Sequence, residues 1–161
     1  MITLRPLVAE DADHLADWGM DEDFRTAADW CDADRDRNLQ FHRDLIDRIR
    51  ADPRRLAVTD HDELVGYVDF TVYDDHSCEL GIAIGPSSRW NRGLGRQAII
   101  AAASHARRHF SASRVWARTL RTNHAARRML IAAGFADAGV CGVEDYRGEP
   151  VPVIRYELPE E

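Results

Sequence analysis

Apolar and polar residues repeat with two different periods along this chain, and the period changes at prolines, glycines and acidic clusters. Ile2 and Leu4 alternate with polar neighbours, with Leu7 just beyond, which predicts a short first strand that Pro6 confines to a sheet end. Over 10–18, Leu15 and Trp18 stand three apart and acids fill the first turn, where the helix dipole favours them, so this stretch reads as a helix. Residues 19–35 follow neither period and read as an acidic loop anchored by Phe24 and Trp30. Over 36–52, Leu39, His42, Leu45, Ile46 and Ile49 share one face of an amphipathic helix that Pro53 stops.

Strands follow at 56–59 and 64–73, joined by the turn Asp60-His61-Asp62, and at 78–84, where Gly85-Pro86 ends the run. An Ala- and Arg-rich helix is predicted over 95–110, a strand over 115–120 and a helix over 123–133 closed by Gly134. Val140 to Val143 and Val153 to Leu158 make the final strands. The order is βαα, three strands, α, β, α, ββ, without internal repeat or linker: a mixed α/β domain spanning 1–161. A length of 161 residues fits one domain at roughly 100–200 residues each, and 45% apolar with 30% charged residues is a globular composition.

Charge adds what the pattern does not show. Residues 1–79 hold 21 acids against 9 Arg, residues 80–136 hold 10 Arg and no acid, and residues 137–161 hold 7 acids against 2 Arg. A basic block inside a chain of net charge −7 argues against binding nucleic acid over the whole surface and for one local anion site. There is no Lys, so neither a Schiff base nor a catalytic lysine is available. Cys31, Cys78 and Cys141 are widely spaced and form no CxxC, which indicates neither a disulfide framework nor a zinc ribbon. The beginning of the chain lacks a basic stretch followed by an apolar one, and no window approaches the ~20 apolar residues of a membrane span. A cytoplasmic protein without a membrane partner is expected.

The chemistry concentrates in residues 89–98, Arg-Trp-Asn-Arg-Gly-Leu-Gly-Arg-Gln-Ala, between a predicted strand and a predicted helix. Gly93 and Gly95 let the backbone turn with its amides exposed, and the helix N-terminus behind them carries partial positive charge. With Arg89, Arg92 and Arg96 around it, the loop reads as a phosphate cradle. A dinucleotide fold would need an acid roughly 20 residues further on, and none occurs before Asp137. A P-loop would need Gly-Lys-Ser/Thr, which is absent.

Trp90-Asn91-Arg92-Gly93-Leu94-Gly95 resembles motif A of the GNAT superfamily of N-acetyltransferases, Gln/Arg-x-x-Gly-x-Gly/Ala, with Trp at the first position. The Trp form, the opening Leu4-Arg5-Pro6-Leu7 with Glu10-Asp11-Ala12, and the ending Tyr156-Glu157-Leu158 are similar to the branch of bacterial ribosomal-protein N-terminal acetyltransferases. Asn123-His124-Ala125-Ala126, then Leu130, then Gly134-Phe135, resembles the family's Asn-x-x-Ala-x-x-x-Tyr-x-x-x-Gly-Phe signature. The resemblance implies a central mixed and mostly antiparallel sheet flanked by helices. Acetyl-CoA would bind where the strand ending near Ile84 splays from strand 115–120. An acceptor-side half is expected over about 1–79, a cofactor half over about 80–136 and C-terminal strands over 137–158.

The implied activity is acetyl transfer to a primary amine by direct attack in a ternary complex. Glu79 matches the position where histone-acetylating relatives place their general base, and a partly buried carboxylate can accept a proton directly or through water. Implied cofactor contacts are Ile82, Ala83, Ile84, Arg89, Arg92, Gly93, Leu94, Gly95, Arg96, Gln97, Asn123 and Arg127. The amides of 82–84 would serve the thioester oxygen and the pantetheine. The position at which many relatives place a general-acid Tyr is Leu130 here, which leaves His124, Tyr146 and water as substitutes. His105 and His109 stand four apart, but Ala106 occupies the place of the base in HExxH; no metal is expected, and the dipole at the helix C-terminus accounts for the imidazoles.

The acceptor is expected to be a peptide or small-molecule amine, met by 17–36 and the hairpin from Tyr67 to Asp75. The carboxylates Asp17, Asp21, Glu22, Asp23, Asp29, Asp32 and Asp34 could attract an ammonium there, or form a solvated acidic loop. A homodimer is compatible with this reading. The alternatives are a non-catalytic acyl-CoA-binding module, motivated by Leu130, and a nucleic-acid-binding domain, disfavoured by the overall acidity.

Overall fold

The hydrophobic pattern is realised as seven strands and five helices in a computed structural model that describes residues 1–30 and 32–160. Cys31 lies outside the described residues. In chain order the elements are β1 (Ile2–Pro6), α1 (Asp11–Trp18), α2 (Glu22–Ala27), α3 (Arg35–Ile49), β2 (Arg55–Asp60), β3 (Glu63–Val72) and β4 (Ser77–Ile84). They continue with α4 (Leu94–His109), β5 (Arg114–Leu120), α5 (His124–Ala132), β6 (Ala136–Tyr146) and β7 (Glu149–Leu158). The strands hydrogen-bond in the order β1-β2-β3-β4-β5-β7-β6. The β1–β2, β5–β7 and β6–β7 pairs are antiparallel and β4–β5 is parallel, so the sheet is mixed, as expected.

Three predicted boundaries change. Residues 19–35 are not all loop: Asp21 Oδ1 accepts hydrogen bonds from the amides of Asp23 and Phe24 at 3.1 and 3.3 Å and starts the short helix α2. Helix α3 runs over Arg35–Ile49 rather than 36–52: Asp34 caps its start through the amides of Asp36 and Arg37, and it ends with Ile49, the last residue of the apolar stripe. The last two strands are longer than their apolar cores, and β6 is exposed along nearly its whole length. An edge strand without a buried face carries no alternation to read.

By contacts the chain forms two units, Met1–Val68 with Ile82–Leu94, and Asp69–Gly81 with the residues from Gly95 onward. The first is organised around Leu15, Trp18, Phe24, Ala57, Leu64 and Tyr67, with Trp30, Ala83 and Trp90 packed against them. Phe24 is fully buried and Trp30 partly so, which bears out their reading as anchors. His42 on α3 is also buried, 5.1 Å from the Trp30 ring and 5.2 Å from Phe41, and its Nδ1 has no partner among the described residues. Burial and the nearby Arg55 charge lower its pKa from 6.5 to about 4. His61 and Asp62 take φ of 49° and 66°, as a two-residue turn between right-twisted strands requires.

In the second unit α4 buries Ala98, Ile99, Ala102, Ala103 and Ala106, and β5 and β7 bury Val115, Ala117, Ile154 and Tyr156. Helix α5 ends as predicted at Gly134, whose φ is +95°. The Gly134 and Phe135 amides donate to the Ile131 and Leu130 carbonyls, the paired closure of a Schellman turn.

Candidate active site

Strand β4 alternates. Cys78 and Leu80 are buried, while Glu79 belongs to the other face with its side chain 14% exposed. Glu79 pairs with Trp116 at the end of the β4–β5 ladder, which runs only over Ser77–Glu79 against Arg114–Trp116. Beyond it, β5 continues its pairing with β7 alone, up to Leu120.

Both oxygens of Glu79 are engaged. Oε1 accepts from Arg118 Nε at 2.8 Å and Oε2 accepts from the Tyr73 hydroxyl at 2.8 Å. The bond to Glu79, followed by burial and the Glu79 charge, raises the pKa of the Tyr73 phenol, so it stays a donor at neutral pH. The Arg118 pKa is raised chiefly by the Glu79 charge. The Tyr73 ring stacks on Trp116 with centroids 5.7 Å apart, and Arg155 lies 3.8 Å from the same indole. Neither Tyr73 nor Arg118 could be assigned to Glu79 from sequence. Arg118 is 39 residues away and reaches the carboxylate only through strand register.

The end of β4 is shaped by close packing in the first unit. A Cβ at Gly66 of β3 would lie 2.4 Å from the Ala83 carbonyl oxygen, and one at Gly85 would lie 2.6 Å from the Trp18 ring. Only glycine permits these approaches. The Trp90 indole donates to the Ile84 carbonyl at 2.7 Å, so the residue that departs from the family's first motif position fastens the loop to the strand. Asp21, besides capping α2, accepts from the Ser87 amide at 2.7 Å. Burial opposes ionisation of Asp21, but the bonds from Ser87, Phe24 and Asp23 prevail and lower its pKa.

The predicted cradle residues divide. Arg89 donates to the carbonyls of Leu64 and Gly85 at 3.2 and 2.9 Å and pairs with Glu63, so its guanidinium is committed to the strand ends. Arg92 and Arg96 are exposed and, among the described residues, form no ion pair. They flank Gly93, which together with Asn91 takes positive φ, 77° and 63°, immediately before α4 begins at Leu94. Exposed amides at the start of a sixteen-residue helix with two uncompensated guanidiniums suit an anion.

Asn123 caps α5 through the Ala126 amide at 3.1 Å. Arg127 donates to the Tyr156 hydroxyl at 2.9 Å and to the Arg121 carbonyl at 3.0 Å, and Leu130 is buried. Several acids of the expected acceptor side have structural partners: Asp17 with Arg35 at 2.7 Å, Asp32 with Arg37 at 3.4 Å, and Asp21 and Asp34 as caps. His105 and His109 stack on each other at 3.9 Å, and burial followed by His109 and Arg108 lowers the pKa of His105. Among the described residues no three His, Cys, Asp or Glu side chains gather as a metal site, and no helix is long and apolar enough to cross a membrane.

Residues 1–136 match the family model of the acetyltransferase (GNAT) domain. Curated protein sequences give no significant match. Among solved structures, a GNAT-family acetyltransferase from Bacillus anthracis superposes with a TM-score of 0.81 at 18% identity, over 98% of this chain and 93% of that one. The spermidine N-acetyltransferase from Vibrio cholerae, solved with CoA and spermine, gives 0.78 at 21% identity over 98% and 94%. A Vibrio cholerae protein proposed to be a ribosomal-protein-serine acetyltransferase gives 0.77 at 20% identity over 99% and 94%. With its motifs inside the matched span, the chain belongs to the GNAT acetyltransferase family.

Proposed function

We propose that this protein is an acetyl-CoA-dependent N-acetyltransferase that acts on a primary amine in a ternary complex, with Glu79 as general base. The observation that carries the reading is the run from Glu79 to Arg96. One strand presents a held carboxylate, then the 82–84 backbone, and leads into a loop whose amides and free guanidiniums suit a pyrophosphate. Spermidine as the substrate of one solved relative supports an amine acceptor.

In this mechanism Glu79 takes a proton from the acceptor ammonium, directly or through one water. The freed nitrogen attacks the thioester carbon, and backbone amides of 82–84 stabilise the oxygen that becomes negative. The C–S bond then breaks. Leu130 supplies no proton; a thiol with a pKa of about 8.5, like that of free Cys, leaves as thiolate, the nitrogen gives its second proton to water as the amide forms, and solvent returns one proton to the sulfur. Arg92, Arg96 and the Gly93–Gly95 amides would hold the CoA phosphates.

Leu130 in the usual Tyr position also fits a CoA-binding module without turnover. Calorimetry with CoA and a thiol-release assay over free-N-terminus peptides, spermidine and an aminoglycoside separate the two. Binding with amine-dependent release supports the enzyme, binding without release supports the module, and absent binding contradicts both.

A further inference from the structure

The two partners of Glu79 differ in what they supply. Arg118 brings charge from β5 and is itself approached by Glu144 of β6 at 3.8 Å. Tyr73, just past β3, brings a neutral donor whose direction is set by its stack on Trp116. That indole is restrained in turn by the Arg155 guanidinium of β7, which pairs with Glu157 at 2.8 Å, and its Nε1 lies 3.4 Å from Ser77 Oγ. Tyr73 is 41% exposed as a residue, yet this stack and the 2.8 Å bond give its hydroxyl one orientation.

We propose that Tyr73 is a positioning residue for the acetyl transfer: its hydroxyl, steadied on Trp116, fixes Glu79 Oε2 and aims the carboxylate at the acceptor ammonium. The inference rests on the reading of Glu79 as the base. Arg118 alone holds one oxygen and leaves the carboxylate free to rotate about that contact; the second bond removes this freedom. No bond of Tyr73 breaks in the cycle. The ammonium proton passes to Glu79 and then to solvent, while the phenol keeps its own proton.

Tyr73→Phe keeps the ring and its stack and removes only the hydroxyl. The first readout needs no acceptor: carboxyl carbon NMR of Glu-labelled protein, with the Glu79 signal identified by its loss in Glu79→Gln. At pH 7 that signal is expected to shift and broaden in Tyr73→Phe, because the carboxylate loses one of its two fixed donors and samples more than one orientation. With the fastest acceptor among spermidine, a free-N-terminus serine peptide and an aminoglycoside, kcat is expected to fall about tenfold with the acetyl-CoA KM little changed. An unchanged Glu79 carboxyl signal, or wild-type kcat, in Tyr73→Phe overturns the proposal. Full turnover in Glu79→Gln overturns the base reading beneath it, and is told apart because the Glu79 carboxyl signal would still change in Tyr73→Phe.

Discussion

The sheet face around Glu79 and the loop from Asn91 to Arg96 both carry arginine, yet they are wired in opposite ways. On the sheet face Arg114 pairs with Asp75, Arg118 with Glu79 and Arg155 with Glu157. In the loop, Arg92 and Arg96 have no ion-pair partner among the described residues. Arg89, two residues before Asn91, already belongs to the paired kind. An acid-free stretch of sequence therefore does not make a uniformly basic surface, because segments from outside the stretch bring carboxylates to Arg89, Arg114 and Arg118. Arg92 and Arg96 differ from the other arginines in lying beside the start of α4, where helix amides add partial positive charge and an external anion is attracted. The paired face instead holds one carboxylate in a defined direction, which is the requirement for moving a proton.

This contrast predicts separable losses. The largest effect should come from the fold itself. Neutral His42 is favoured in the folded state, so the unfolded chain binds the extra proton between pH 6.5 and about 4, and stability falls as pH drops through that window. The loss should approach about 3 kcal/mol by the lower end. It should disable both regions together, and His42→Phe should flatten the dependence in denaturant titrations. Next, Glu79→Gln should lower kcat by about a hundredfold or more while leaving the CoA Kd unchanged in calorimetry. A weakened Kd in that variant would blur the division between the two regions.

Arg92→Ala and Arg96→Ala should each weaken CoA binding by about tenfold, more steeply at low salt, with little change in melting temperature. Arg89→Ala should do the reverse, costing about 1–2 kcal/mol of stability with almost no change in Kd, because its guanidinium bonds to two carbonyls and Glu63. A Kd loss in Arg89→Ala equal to that in Arg92→Ala would return Arg89 to the cradle.

Much of this was legible in the sequence, and the reasons it stopped are physical. Strands and helices with one buried face announced themselves by period, as did the Gly134 closure and the Asn123 cap. Helix α2 was hidden because it has six residues, too few for an apolar stripe, and because Asp21 looked like one more acid in an acidic run. Strand β6 was underestimated because neither of its faces is buried. Glu79 and the glycine loop could be singled out from local motifs. The partners that give Glu79 its geometry could not, since Tyr73, Trp116 and Arg118 converge only through strand register. For the same reason Arg89, Arg92 and Arg96 looked alike until the carbonyls and carboxylate around Arg89 were visible.

The account stands most directly on whether an acetyl group reaches an amine. Incubating the protein with isotopically labelled acetyl-CoA and the amine panel, and analysing the amines by mass spectrometry, should yield labelled acetylated product on at least one acceptor, strongly reduced in Glu79→Gln. Bound CoA with no labelled product on any peptide, polyamine or aminoglycoside would contradict it.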